Sequence, residues 1–183
     1  MGRTFWDRAH AWAINPSARY HACSRNLRAS FHSRRWAGNA CERHTIFLGN
    51  SAVPLKGVHV ALDALVLLRR EYPDIRLVIA GEPPTQQRSW LRRWVDYAAY
   101  LQDRIGQLGL ERQVEFTGVL EADAMAARMA RCHVYAMASL IENSPNTLGE
   151  AMLLGMPCAV AYAGGAPSMA TDEREALFFR AGD

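Results

Sequence analysis

Short apolar runs alternate with longer amphipathic segments from Thr45 to the end of the chain. The apolar runs predict strands, in chain order, over residues 46–49, 75–81, 114–118, 133–137, 158–162 and 177–179. The segments between them predict helices over residues 58–72, 89–108 and 123–131, and one more that starts at Ser144. Strands that alternate with helices in this way are typical of a parallel sheet covered on both faces. The sequence therefore predicts an α/β fold with a doubly wound parallel, Rossmann-like sheet.

The chain divides near residue 45 into two stretches of different character. Residues 1–44 lack clean periodicity and carry eight Arg against two acidic residues, Asp7 and Glu42. A basic stretch can bind nucleic acid or anionic lipid, but no nucleic-acid motif accompanies this charge, so we predict no nucleic-acid partner. We predict an interdomain or N-terminal tail over residues 1–44 and a single domain over residues 45–183.

The four cysteines, Cys23, Cys41, Cys132 and Cys158, form no CxxC pair and show no zinc-ligand spacing. Cys132 and Cys158 lie beside strand-like runs, which favours buried free thiols and indicates a reducing, cytoplasmic compartment. No histidine has a second histidine or a carboxylate at metal-ligand spacing, so we predict no metal and no cofactor. No apolar run has the length of a signal peptide or a membrane span.

Candidate site residues follow several of the predicted strands. Lys56, Gly81, Val119 and Glu142 each come shortly after a strand, at the edge of a parallel sheet where ligands bind. The loops after the first two strands are neither GxGxxG nor P-loop sequences, which argues against dinucleotide oxidoreduction and ordinary NTP hydrolysis. Lys56 is the only lysine among 21 basic residues, and its ammonium group can act as a point charge for a diphosphate. On composition alone, a solvated loop lysine is the commoner interpretation.

The segment 142–157, ENSPNTLGEAMLLGMP, is the most informative part of the chain. Ser144 predicts the N-cap of a helix that ends near Gly155. The unpaired N–H groups at a helix N-terminus bind anions, and here Glu142 and Glu150 flank them. Carboxylates on both sides of a phosphate site suit a ligand with hydroxyl groups on both sides of its phosphates, as in a nucleotide sugar.

The order of these parts resembles the family 4 retaining glycosyltransferases of the GT-B fold. Their donor-binding half carries E-x7-E, EAMxxGxP and a GG turn, matched here by Glu142, Glu150, Ala151, Met152, Gly155, Pro157, Gly164 and Gly165. The match extends to Lys56 and Gly57 and to VEFTGVL, over roughly residues 45–183. The resemblance implies an enzyme that transfers a hexose-type sugar from a UDP- or GDP-sugar to a saccharide or lipid-linked acceptor, commonly in bacterial surface polysaccharide synthesis.

The resemblance also implies different roles for the two carboxylates. Glu142 would contact the transferred sugar as the catalytic residue and stabilise positive charge at the anomeric carbon. Glu150 would accept hydrogen bonds from the ribose hydroxyls. Without the resemblance, Glu142 is equally well explained by a favourable interaction with the helix dipole. For Glu150, an ordinary position on a helix surface is then the commoner interpretation.

The remaining donor-binding residues are implied by the same resemblance. Lys56 and the amides of Asn146 and Thr147 would face the diphosphate, and no metal would be required. The backbone at Val119 would meet the base, and Gly81 would border the site. Gly81 is also explained as a residue that simply ends its strand.

The chain departs from the family pattern in its cations and in its length. The family places an Arg shortly before the lysine, where Asn50 is nearest to the expected position. Three explanations stay open: lower donor affinity, another Arg that substitutes, or a subgroup that uses one cation. The acceptor-binding half and the terminal helices of the family are absent from residues 1–183, so we expect an inactive fragment in which residues 1–44 are loosely docked.

Two other functions remain compatible with these motifs, namely a sugar-nucleotide epimerase of GT-B fold and a non-catalytic nucleotide-sugar-binding module. The segment 88–105 adds a separate question, because it combines helically spaced apolar residues with Arg and Trp. Such a helix commonly covers one face of a sheet. Peripheral docking at the inner face of the cytoplasmic membrane stays the alternative.

Overall fold

The structure, a computed structural model, describes residues 1–24, 26–49, 53–83 and 92–183, with the backbone alone for residues 92–96. The strands are β1 Glu42–Leu48, β2 Arg76–Ile79, β3 Val114–Phe116, β4 Cys132–Met137, β5 Cys158–Ala161 and β6 Leu177–Phe179. The helices are α1 Phe5–Ile14, α2 Val58–Leu68, α3 Arg92–Gln107, α4 Ala122–Arg131 and α5 Asn146–Leu154. Each predicted strand and helix from residue 46 onward therefore has a counterpart in the structure.

The six strands form one parallel sheet in the order β3-β2-β1-β4-β5-β6. In its centre, Phe47 of β1 lies opposite Val78 of β2 on one side and Tyr135 of β4 on the other. The chain moves outward from β1 to β3 and then returns to start again at β4. The boundary between β1 and β4 is thus a topological switch point, where the carboxyl ends of the strands leave a crevice. The predicted doubly wound parallel sheet is confirmed.

Helices cover both faces of the sheet because successive residues of a strand point to opposite faces. On one face, Leu77 and Ile79 of β2 pack against buried residues of α2 and α3. On the other face, Val78 packs in a second core with α4 and α5. The fully buried Tyr135 belongs to this second core and reaches the crevice from below.

The amphipathic helix α3 covers the sheet, as its sequence pattern predicts. Ala98, Leu101 and Ile105, three of its predicted apolar positions, are buried. Leu101 and Ile105 pack in one core with residues of α2 and the sheet. The side chains at positions 90 and 94 lie outside the described residues, as does the predicted start of the helix at residue 89. Among the helices that the structure describes, none combines the length and the apolar character needed to cross a bilayer.

Strand β1 begins at Glu42, within the stretch that we assigned to the tail. The first residues of this strand are polar, so the apolar pattern did not reveal them. The Glu42 carboxylate lies 2.9 Å from a guanidinium nitrogen of Arg76 and 2.6 Å from one of Arg131. These ion pairs allow a charged residue to begin a central strand.

Residues 1–24 and 26–41 contact the domain at several points, in contrast to the expected loose docking. Phe31 is fully buried in the core formed by α4 and α5. The indole N–H of Trp36 donates to the Cys132 carbonyl oxygen at 2.8 Å. By contrast, Phe5 and Trp12 of α1 are 64% and 42% exposed. The contacts of Phe31 and Trp36 are isolated and leave no periodic signal in the sequence.

The cysteines agree with the sequence-based interpretation. All four are free, and Cys132 and Cys158 are buried. Burial raises the pKa of the Cys132 thiol to about 11 and that of Cys158 to about 12. Both thiols therefore stay protonated and act as small apolar residues in the core.

Candidate functional site

A cavity of about 230 Å³ opens at the switch point, above the carboxyl ends of β1 and β4. Leu48 and Gly49 line it from the end of β1, and residues 135–139 line it from β4 and the loop that follows. Lys56, Glu142 and the start of α5 surround the opening. The chain thus brings together at one point several residues that lie far apart in the sequence.

An ion pair between Lys56 and Glu142 forms one side of this cavity. The Lys56 ammonium group donates to Glu142 Oε1, and the Ser139 hydroxyl donates to the same oxygen at 3.0 Å. The Lys56 and Glu142 side chains are 29% and 15% exposed, so both remain accessible from the cavity. Both donors bind Oε1 and hold the carboxylate in place, whereas Oε2 accepts no hydrogen bond from the residues that the structure describes.

Glycines allow the loops around the cavity to approach each other. Gly57 has a φ of 70°, and a Cβ at this position would lie 1.9 Å from the Ala138 carbonyl oxygen. Gly164 has a φ of 53°, and a Cβ there would lie 1.9 Å from the Glu142 carbonyl oxygen. The Gly165 N–H donates to that same oxygen at 2.8 Å. The glycines of the K-G pair and of the GG turn are therefore packing requirements that position the two charged residues.

Helix α5 presents its N-terminus to the cavity. Its N-cap is Pro145 and carries no side-chain cap, so the prediction of a Ser144 cap is wrong. The Ser144 hydroxyl lies 3.9 Å from Met169 Sδ, turned away from the helix backbone. Within the described ranges, no acceptor is found for the backbone N–H of Asn146 or Thr147. Unpaired N–H groups at the positive end of a helix dipole form an anion site.

Tyr135 of β4 is hydrogen-bonded to the start of this helix. Its hydroxyl and Thr147 Oγ1 are hydrogen-bonded at 2.9 Å, which fixes the threonine side chain. Burial raises the pKa of the Tyr135 hydroxyl far above its usual value. The side chain therefore stays neutral and supplies a hydrogen bond without adding a negative charge to the anion site.

Glu150 lies further along α5 in a very different setting. The residue is only 1% exposed, and both carboxylate oxygens accept from Arg28, with Nε at 2.6 Å and Nη2 at 2.8 Å. The hydrogen bond from Arg28 to Glu150 raises the pKa of the guanidinium. An ordinary exposed glutamate is thereby excluded. A second cavity of about 300 Å³ adjoins the ion pair and shares Asn146 and Thr147 with the first.

The structure brings together most of the predicted site residues. Those that line the first cavity are Lys56, Glu142, Asn146 and Thr147. Glu150 borders the second cavity. Gly81 and Val119 follow β2 and β3 at the same sheet edge, but neither lines these two cavities. Gly81 pairs with Gly118 through two hydrogen bonds of 3.0 Å, and Val119 is 79% exposed, so their ligand contacts stay predictions. Asn50 lies outside the described residues.

Three residues that sequence reasoning missed lie at these cavities, namely Arg3, Arg28 and Ser139. Arg3 and Arg28 come from the basic N-terminal stretch, whose surplus of Arg was the one available signal. Neither belongs to a motif. Their positions depend on contacts of the N-terminal stretch with Asn143 and with α5, which local sequence does not show. Ser139 lies in the loop after β4, three residues before Glu142.

Metal binding finds no support in the part of the chain that the structure describes. No group of three His, Cys, Asp or Glu side chains there is arranged to hold a metal ion. The predicted independence from metal is untested by this observation and stays a prediction.

A helix start with free amides, flanked by carboxylates at the switch point of a parallel sheet, is an arrangement typical of ligand sites in Rossmann-like domains. Residues 42–183 match the family model described as Glycosyl transferases group 1. The chain belongs to this family. The resemblance seen in the motifs is confirmed.

Individual relatives support the assignment. The chain is 30% identical over 138 residues to the GDP-mannose-dependent alpha-(1-6)-phosphatidylinositol monomannoside mannosyltransferase of Mycolicibacterium smegmatis, covering 72% of this chain and 33% of that protein. It is 30% identical to Anabaena HepE, solved with UDP and with UDP-glucose, at a TM-score of 0.65 over 76% of this chain and 35% of HepE. The chain thus spans about a third of the length of these relatives.

A more distant structure covers the whole chain. Sucrose-phosphate synthase from Thermosynechococcus elongatus superposes on all of it with a TM-score of 0.78 at 15% identity, and the match takes in 45% of that enzyme. At this identity the likeness shows the fold alone. The domain has the architecture of one half of a GT-B glycosyltransferase.

Proposed function

We propose that the residues lining the two cavities bind the nucleotide-sugar donor of a retaining GT-B glycosyltransferase. Such an enzyme moves a hexose-type sugar from a UDP- or GDP-sugar to a saccharide or lipid-linked acceptor. The observation that carries the proposal is the Lys56–Glu142 pair, which faces the unpaired N–H groups of Asn146 and Thr147 across one cavity. A cation and a helix N-terminus suit a diphosphate. The names of the relatives, one solved with UDP-glucose and one GDP-mannose-dependent, support the same ligand class.

In the proposed complex, the diphosphate lies along the start of α5. An ammonium group has three N–H donors, so Lys56 can bind a phosphate oxygen while it keeps one hydrogen bond to Glu142. The sugar then lies on the Glu142 side of the helix start. The nucleoside lies on the Glu150 side, in the cavity that shares Asn146 and Thr147 with the first.

The two carboxylates take different parts in the proposed reaction. Glu142, fixed by Lys56 and Ser139, faces the anomeric carbon and stabilises the positive charge that develops there in the transition state. Glu150, fixed by Arg28, accepts from the ribose hydroxyls with the lone pairs that the guanidinium leaves free. No step of this scheme uses a metal ion.

Transfer itself belongs to the complete enzyme in this proposal, because the chain covers about a third of each relative named above. A further part of such an enzyme would hold the acceptor and close the cleft over the donor. We place the reaction in surface polysaccharide synthesis on the cytoplasmic side of the membrane. A lipid-linked acceptor is in keeping with the phosphatidylinositol in the name of the mycobacterial relative.

The proposal is tested by titrating the chain with UDP, GDP and the two parent nucleosides in a calorimeter. The Lys56→Ala variant should bind the diphosphates about 1–3 kcal/mol more weakly, which is the range for a charge-assisted hydrogen bond. The matched control is Arg104→Ala, which breaks an ion pair with Asp63 of 2.7 Å on α2 and α3, away from the cavity. This control should bind like the unmodified chain.

A second variant separates the loss of Lys56 from the repulsion by an unpaired Glu142. The double variant Lys56→Ala/Glu142→Gln lacks both charges, so its affinity should lie between that of Lys56→Ala and that of the unmodified chain. Diphosphate affinity that is the same in Lys56→Ala, Arg104→Ala and the unmodified chain would show that the diphosphate does not bind at this ion pair.

A further inference from the structure

Arg3 lines the first cavity together with Lys56 and Glu142. Its side chain is partly buried, and among the residues that the structure describes its guanidinium has no ion pair or hydrogen bond. Other arginines of the domain do pair with carboxylates; they are Arg28, Arg76, Arg104, Arg128 and Arg131. Arg3 therefore offers an uncommitted positive charge to the cavity.

The backbone of Arg3 is held beside Glu142 by specific hydrogen bonds. Its N–H donates to Asp7 Oδ2 at 2.7 Å, which is part of the capped start of α1. The next residue, Thr4, is 5% exposed and donates from its hydroxyl to Asn143 Oδ1 at 2.8 Å. Asn143 directly follows Glu142 in the chain. The position of Arg3 is thus fixed by the same loop that carries the proposed catalytic carboxylate.

The GG turn adds a second constraint on this docking. A Cβ on Gly165 would lie 2.6 Å from Thr4 Oγ1, so the absence of a side chain there makes room for the N-terminal segment. On the other side, the N–H of Phe5 donates to Ser168 Oγ at 3.0 Å. The start of α1 is therefore held from both sides, and Arg3 precedes it at the mouth of the cavity.

The charge balance of the cavity favours a cation besides Lys56. The charges of Lys56 and Glu142 cancel, which leaves the helix N-terminus with a partial charge of about +0.5 to face a diphosphate that carries at least two negative charges. The loop after β1, residues 49–55, contains no basic residue. A guanidinium fits two phosphate oxygens through its planar fork of N–H donors.

We propose that Arg3 binds the diphosphate of the nucleotide sugar and is the second cation of this site, supplied by the N-terminal segment. The inference rests on the proposed function, since it assigns a residue to the same ligand. Arg3 and Lys56 approach the diphosphate from different segments of the chain, and the start of α5 lies between them and Glu150.

The test compares Arg3→Gln with Arg8→Gln, a change of the same chemistry on the same segment. Arg8 lies over the rings of Phe5 and Trp12, at 4.6 and 4.9 Å, and does not line the first cavity. In calorimetric titrations, Arg3→Gln should weaken UDP or GDP binding about tenfold and leave uridine or guanosine binding unchanged. Its diphosphate affinity should also depend less on salt, because one charge contact is lost. Arg3→Lys should restore part of the affinity.

Two results would overturn the inference in distinguishable ways. If Arg3→Gln binds UDP and GDP like Arg8→Gln while Lys56→Ala binds them weakly, Arg3 is no ligand and the donor site stands. If the unmodified chain binds neither diphosphate, or binds both equally well without Lys56, the proposed function falls and the inference with it. A parallel urea titration shows whether a variant binds weakly because it unfolds. The free energy of unfolding should be equal in the two glutamine variants, because the cap at Asp7 uses backbone N–H groups.

Discussion

Glu142 and Glu150 lie at the two ends of one short stretch of chain and share their charge, but the structure gives them opposite surroundings. Glu142 is 15% exposed and faces an open cavity with a lysine that is itself accessible. The Glu150 side chain is 2% exposed and both of its oxygens accept from one arginine. One carboxylate can exchange partners when a ligand arrives, and the other is fixed.

An E-x7-E spacing therefore does not define two equivalent ligands. The Lys56–Glu142 pair opens onto the cavity, where water competes for both partners, and a solvent-accessible pair of this kind contributes about 0–1 kcal/mol to stability. A buried carboxylate depends on its partner, because an unpaired buried charge is costly. We therefore expect Glu142 to be a residue whose loss affects ligands and chemistry, and Glu150 to be one whose partner also matters for folding.

The largest effect is expected from Arg28→Ala. It leaves Glu150 buried without a partner, and should lower the free energy of unfolding by about 2–4 kcal/mol, less than for a fully dry pair because Arg28 is 41% exposed. Lys56→Ala at the other end should cost no more than about 1 kcal/mol. Urea unfolding measures both. Equal losses would remove the distinction between a fixed and an exchangeable carboxylate.

The next largest effects are expected on the steady-state kinetics of the complete enzyme. Glu142→Gln should lower kcat on the order of 100-fold, because the charge at the anomeric carbon develops only during the reaction. Glu150→Ala should mainly raise the donor KM, since ribose contacts are the same in the ground and transition states. Steady-state rates at varied donor concentration separate the two effects. The reverse pattern would contradict the assigned roles.

A smaller effect is expected when the Glu142 loop is displaced without changing a charge. Gly164→Ala introduces a Cβ that would meet the Glu142 carbonyl oxygen, and should weaken diphosphate binding several-fold, by about 1 kcal/mol. Gly109→Ala is the matched control, because Gly109 also has a left-handed backbone, with a φ of 59°, but no atom lies within 4 Å of the added Cβ. Calorimetry should show weaker binding in Gly164→Ala alone, and the same loss in both variants would exclude loop displacement as its cause.

The smallest expected effect concerns how the free energy of unfolding depends on pH through Asp7, whose carboxylate caps α1 near Glu142. Burial raises the pKa of Asp7, but hydrogen bonds from Tyr20 and from the N–H groups of Arg3 and Thr4 outweigh it and hold this pKa well below its usual 3.8. A depressed pKa gives stability that is present above pH 3.8 and lost as the pH falls toward the folded-state value. The stability difference between the unmodified chain and Asp7→Asn should therefore shrink between about pH 6 and about pH 3 in urea titrations. A difference independent of pH would show that Asp7 stabilises α1 in another way.

The fold could be predicted from the sequence because its strands are short, apolar and separated by amphipathic helices. The predicted boundaries were wrong where polar residues begin a strand or flank the start of a helix. Glu42 begins β1 through ion pairs with distant arginines, and these partners cannot be read from local sequence. The helix start was placed at Ser144 from cap preference alone, whereas the structure has Pro145 at the N-cap and leaves the first amides free.

The candidate site was predictable only as far as it lies on motifs. Lys56, Glu142 and the start of α5 follow recognisable spacing, and the structure places them at one cavity. Arg3 and Arg28 reach the same helix from the N-terminal stretch, through contacts between segments more than a hundred residues apart. Only the folded chain reveals them. The sequence left open whether another arginine replaces the one missing near Asn50, and Arg3 is our proposed answer.

A crystal structure of the chain with UDP or GDP would show whether a nucleoside diphosphate binds across the start of α5. We expect phosphate oxygens within hydrogen-bond distance of Lys56 Nζ and of the amides of Asn146 and Thr147, with the ribose beside Glu150. The Arg28–Glu150 pair should stay intact in the complex. A nucleotide bound elsewhere, with the cavity between Lys56 and α5 left vacant, would show that the donor site does not lie at the start of α5.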